Sequence, residues 1–152
     1  MPNSRCTLTL ITATLTLPAL LVTTGRADDN EVPAIRRLLD TQVADGNRMD
    51  LDAFLNGDSH APGVVFQSGV NRRDGFEAVR SRYRPSYQAE GRAMGRLAFT
   101  ALEVIMLGPD AALARGRFPL TMSDGKRPRG LFTRILCKRP EGWRIVHDPT
   151  SS

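Results

Sequence analysis

The C-terminal third of the chain constrains its fold most. Four strand-like runs, Leu97–Leu107, Ala111–Leu120, Leu131–Lys138 and Trp143–Asp148, follow one another closely. They are parted by Gly108-Pro109-Asp110, Ser123-Asp124-Gly125 and Pro140-Glu141-Gly142. Those connectors are turn chemistry: proline presets φ, glycine accepts positive φ, and Asp or Ser bonds back to the local backbone. Short connections of this kind imply that successive strands pair antiparallel, as a meander. Side chains alternate across each strand. In Ala111–Leu120 one phase holds Ala112, Ala114 and Gly116, opposite Leu113, Arg115 and Arg117. Small residues on one face would let the sheet curl around a hollow. Leu131–Lys138 splits in the same way, with Leu131, Thr133, Ile135 and Cys137 opposite Phe132, Arg134, Leu136 and Lys138.

Upstream the apolar period changes from two to 3.6. Asn30 can cap a helix whose one face carries Ile35, Leu38, Leu39 and Val43; Pro33 falls in its first turn, and Gly46-Asn47 end it. Asp50 caps a short helix, Leu51–Leu55. Val64–Gln67 reads as a strand. Asp74 opens a third helix with Glu77 as capping-box partner, Phe76, Val79 and Tyr83 on its buried side, and Pro85 as its expected end. Helices first and strands after predict an α+β fold, a sheet covered on one face by helices.

Residues 1–27 read as a secretory signal: Arg5, an apolar and threonine-rich stretch, then Gly25-Arg26-Ala27 ahead of Asp28-Asp29. Cleavage there leaves a domain over 28–152, periplasmic or extracellular, with no membrane attachment. It removes Arg5 and Arg26, leaving 19 basic against 16 acidic side chains, a net charge of +3. It also removes Cys6, so Cys137 stands alone and stability must come from packing. The arginines are spread among acids and aromatics are few, which argues against a nucleic-acid partner.

The segments "NRMDLDAFLNG", "VVFQSG", "AMGRLAFTALEVIMLGPDAALARGRF", "GLFTRIL" and "GWRIVHDPTSS" resemble the SnoaL-like branch of the nuclear transport factor 2-like superfamily, from about Val32 to Ser152. That resemblance implies a cystatin-like cone, with helices packed in a curved antiparallel sheet enclosing a pocket, and a homodimer formed through the sheet. Relatives use such pockets for isomerase, hydrolase, dehydratase and cyclase chemistry, and many have no known reaction. A second stretch, "DGKRPRGLFTRILCKRPEGWRIVH", is similar to the end of the association domain of calcium/calmodulin-dependent protein kinase II. That likeness matches Arg134 and Arg117 to arginines of a deep pocket, and His147 to a histidine. Many exported bacterial relatives end Asp-His-Thr-Ser, whereas this chain has Pro149 at the histidine position.

The candidate ligand-binding residues are therefore Arg134, Arg117, Glu103 and Tyr83, and the candidate catalytic residues are His147 and Asp148. A cavity-facing guanidinium needs an anionic partner. Glu103, mid-strand, is the nearest internal candidate. His147 and Asp148 are neighbours on a strand, so they face opposite ways unless a bulge intervenes. His147 shares a phase with Trp143 and Ile145 and is expected to face the pocket. Two distant histidines and one thiol give no metal site, and no serine elbow or phosphate-binding loop is present, so no cofactor is expected. Three functions follow: a binding protein for a polar or anionic organic molecule; an isomerase, lyase or hydrolase with His147 or Asp148 as base; or an assembly module.

Overall fold

Helix α1 (Asp28–Asn47) places Ile35, Leu39 and Gln42 on one buried stripe, spaced four and three residues apart. In this computed structural model the described residues are 28–88, 95–122 and 124–151, and the expected signal at 1–27 lies outside them. The C-terminus of α1 is pinned by Asn47, whose side chain both donates to the Leu97 carbonyl (2.9 Å) and accepts from its N–H (2.7 Å). Asp50 caps α2 (Leu51–Leu55), accepting from Ala53 N–H at 3.0 Å. Strands β1 (Val65–Ser68) and β2 (Asn71–Asp74) form a hairpin through Gly69, whose φ is +55°. Asp74 thus ends a strand rather than opening a helix. Helix α3 (Phe76–Gln88) follows and passes through Pro85, which costs one backbone hydrogen bond close to its C-terminal end.

The remaining strands are β3 (Arg96–Leu97), β4 (Thr100–Gly108), β5 (Ala111–Thr121), β6 (Arg129–Arg139) and β7 (Gly142–Ser151). They build an open seven-stranded sheet in the order β2-β1-β7-β6-β5-β3, with β4 also on β5. The expected long run from Leu97 is divided, β3 from β4, and Ala101 takes a φ of +51°. The meander from β4 to β7 is antiparallel throughout. The sheet as a whole is mixed, because β1 lies parallel to β7. About half of the chain separates those two strands, so no tight turn dictates their direction. Register shifts in β4 and between β6 and β7 insert bulges that bend and twist the ribbon.

Small residues lie on the concave face. Ala112 and Ala114 are fully buried against Ile35, Leu39, Leu136, Trp143 and Ile145. Gly116 lies opposite Phe132, whose ring passes where a Cβ would be, 3.0 Å away. A second cluster, Leu51, Phe54, Leu55, Val64, Phe66 and Val79, fills the space under α2 and α3. Trp143 joins the sheet to α1: its ring is buried, and Nε1 donates to Glu31 Oε2 at 2.6 Å. Lys138 donates to the other oxygen of Glu31 at 2.7 Å.

Truncating Trp143 to Ala should cost about 3–5 kcal/mol in chemical denaturation. Val70, fully exposed at the β1–β2 turn, should tolerate alanine within about 0.5 kcal/mol.

Candidate functional site

Arg134 points to the concave side of β6, in phase with buried Phe132 and Leu136 and opposite Ala114 of β5. The small alanine leaves room for the guanidinium. The Arg134 side chain is 5% exposed, so its charge is out of water. Nε donates to Asp148 Oδ1 at 3.1 Å, and Nη1 donates to Gln42 Oε1 at 2.6 Å. The rings of Phe99 and Phe132 lie 4.8 and 5.0 Å from its central carbon. A guanidinium carries five N–H donors. Two of them have acceptors here, and the described residues supply none to the other three.

Asp148, not His147, reaches this arginine because of one residue. Leu136 pairs with Ile145, but Ile135 pairs with His147, so Val146 is an extra residue bulged out of β7. Beyond it the phase reverses. His147 lies on the outer face beside Ile135 and Val65, while Asp148 is buried opposite Arg134. The expected phase of His147 with Trp143 and Ile145 is thereby corrected. Burial alone would lower Arg134, but the adjacent Asp148 charge and hydrogen bond outweigh it, and the guanidinium is held above its ordinary value.

A second carboxyl completes the cluster. Asp58 is 5% exposed and follows α2, with its N–H donating to Leu55 O at 3.0 Å. Its neighbours clamp it to β7: Ile145 N–H donates to Gly57 O (2.9 Å), and Ser59 N–H donates to Ile145 O (2.8 Å). The Asp58 carboxyl accepts no hydrogen bond from the described residues. Desolvation pushes it up, the Asp148 charge pushes it further, and Arg134 opposes both only in part, leaving it at about 8. Asp58 therefore carries a proton at neutral pH. With Arg134 positive and Asp148 negative, the cluster is then electrically neutral.

Of the other sequence candidates, Glu103 and Arg117 stand elsewhere and Tyr83 borders the cluster. Glu103 bonds Arg115 across β4 and β5 at 2.7 Å, both side chains more than half exposed, so it does not neutralise Arg134. Arg117 is exposed and lies in the outer phase of β5. Tyr83 packs against Phe54 and Phe66, with centroids 5.4 and 5.6 Å away, and its phenol also bears on the Arg134 charge. Sequence reasoning missed Gln42 and Asp58. Gln42 carried a signal, since it is a polar residue on the apolar stripe of Ile35 and Leu39. Asp58, within Asn56-Gly57-Asp58-Ser59, looks like turn chemistry. A separate open groove of about 460 Å³ runs between α1 and the β6–β7 hairpin, lined by Glu31, Leu38, Lys138 and Trp143 among others, and none of the Arg134 cluster borders it. Among the described residues no three His, Cys, Asp or Glu side chains are grouped to hold a metal ion.

A raised carboxyl in the folded state makes stability fall as pH rises. The contribution is complete below the unfolded value near 4 and is lost up to about pH 8, at no more than about 1.4 kcal/mol per pH unit. Asp58→Asn, which cannot ionise, should match wild type near pH 4 and exceed its stability at pH 8 and above. Urea melts across pH 4–9 check this; parallel wild-type and variant curves would refute it.

No protein-family model matches the chain, and no curated protein does. Solved structures do. A nuclear transport factor 2-like protein of unknown function from Shewanella oneidensis is 30% identical, with a TM-score of 0.74 over 80% of this chain and 98% of that one. A protein from Xanthomonas campestris named for the calcium/calmodulin-dependent protein kinase II association domain shares the fold at 20% identity (TM-score 0.63, 95% and 97% covered). So does a ketosteroid isomerase-like protein from Erwinia carotovora atroseptica, at 19% identity (TM-score 0.64, 82% and 97% covered). The 30% identity to the Shewanella oneidensis protein, over 80% of this chain and on the same curved sheet and helix arrangement, makes the chain a member of the nuclear transport factor 2-like family.

Proposed function

We propose that this is an exported small-molecule-binding protein whose concave face takes a polar or anionic organic ligand at Arg134. One observation carries the reading: a fully buried guanidinium with three N–H groups that the described protein groups do not match. Unmatched buried donors are costly, and ligand oxygens would satisfy them. The Phe99 and Phe132 rings offer apolar walls beside them. Removing Arg134 alone would strand the buried Asp148 charge and destabilise the fold by about 3–5 kcal/mol. The test therefore uses the double variant Arg134→Met with Asp148→Asn. Thermal melts against a panel of carboxylates and phosphates should show stabilisation of wild type and none of the variant. Equal responses would remove Arg134 as anchor.

A catalytic reading has one observation of its own. Asp58, whose carboxyl burial holds at about 8, shares the buried cluster with Asp148, and a carboxyl perturbed in this way suits general acid–base chemistry of isomerase, lyase or hydrolase type. On a substrate found by screening, Asp58→Asn or Asp148→Asn should lower turnover at least a hundredfold, and His147→Gln should leave it unchanged. The reverse order would put the chemistry on the outer face.

The outer sheet face supports a homodimer. Ile105, Leu107 and Leu131 are exposed there, 37%, 58% and 56% respectively, and a contact between two sheets would cover them. Leu107→Asp with Leu131→Arg should convert a dimer to a monomer in analytical ultracentrifugation. A monomeric wild type would exclude the dimer.

A further inference from the structure

We propose that ligand binding at this site is proton-linked: a carboxylate ligand is taken up together with one proton, which resides on the Asp58 carboxyl. The inference rests on the concave face being the ligand site and assigns a regulating residue to it. Charge must balance within a buried cluster. Arg134 contributes one positive charge and Asp148 one negative, and those two are bonded to each other. If Asp58 is ionised, the cluster is already one negative charge in excess, and a carboxylate would make it two. With the proton on Asp58, the same ligand meets a neutral cluster plus an O–H donor.

A proton on Asp148 instead would discharge the carboxylate that offsets Arg134 and break the ion pair. Asp58 accepts no hydrogen bond from the described residues, and the two backbone bonds that flank it to Ile145 keep it from turning outward to water. The groups that each packed element brings to the cluster agree. From β6 comes Arg134 and from β7 Asp148, while His147 is turned to the other face. From α1 comes uncharged Gln42, and Asp45 on that helix is bonded to Arg48. From α3 comes Tyr83, whose phenol bears on Arg134; Arg80 of that helix is bonded instead to Asp52 of α2. Among these, Asp58 alone is a buried ionisable group without a hydrogen bond, so the proton that ligand charge calls for goes there.

The test is titration calorimetry of the wild-type protein with sodium acetate and sodium benzoate at pH 6, 7, 8 and 9, in pairs of buffers of different ionisation enthalpy. Both probes are fully ionised over that range, so any proton taken up is the protein's. Proton uptake should be near zero at pH 6 and approach one at pH 9. Affinity should fall up to about tenfold per pH unit above pH 8, the limit for a single coupled proton. Asp58→Asn should bind the same probes with no uptake and a flat pH profile. Carboxylate binding in wild type with flat affinity and no uptake would overturn the proton link and leave Arg134 standing as anchor. Failure of wild type to bind either carboxylate at any pH would overturn both. If the asparagine variant does not fold, the wild-type uptake decides the question by itself.

Discussion

The interior of this sheet is organised around a buried ion pair that one bulged residue makes possible. A guanidinium in an apolar interior loses its hydration, and it is tolerated where an anion and further acceptors replace that water. Asp148 and Gln42 do so for Arg134, from β7 and α1, with two aromatic rings beside the guanidinium. Without the extra residue at Val146, Asp148 would point outward and His147 inward. Arg134 would then face an imidazole, which offers a weaker acceptor and no fixed negative charge. The small residues of β5 matter for the same reason. Ala114 and Gly116 leave the volume that Arg134 and the ring of Phe132 occupy.

The cluster is more finely balanced than a simple salt bridge. Arg134 and Asp148 cancel, and the burial of Asp58 beside them is uncompensated by any hydrogen bond from the described residues. Such a group stays neutral by keeping its proton, which turns an acceptor into a donor. The concave face then presents donors, three N–H groups and one O–H, in a neutral setting. Solved structures sharing this fold include a protein of unknown function, one named for a kinase association domain and one named ketosteroid isomerase-like, so the fold fixes the architecture and leaves the chemistry to side chains such as these.

Much of the architecture was legible. The α1 stripe, the Asp50 cap and the four-strand meander all follow from local period and turn chemistry, and the structure places them within a few residues of expectation. The inward phase of Ala112, Ala114 and Gly116 was legible too, as was the burial of Trp143. The candidate site was half legible: Arg134 stood out as a cation in an apolar strand phase. Glu103 was only a candidate for its partner, and no local pattern shows that Glu103 meets Arg115 on the outer face instead.

What the sequence determined by itself was therefore whatever depends on neighbours within a few residues: period, caps, turns and the alternation of each strand. Tertiary structure alone decided which groups meet across the fold. The bulge at Val146 is a matter of register between β6 and β7, set by the fit of two whole strands. Gln42, Asp58, Arg134 and Asp148 come from four segments of the chain, brought together by packing that no local pattern encodes. The parallel alignment of β1 with β7 is likewise a long-range choice, made where burial of both edges outweighs any local turn preference.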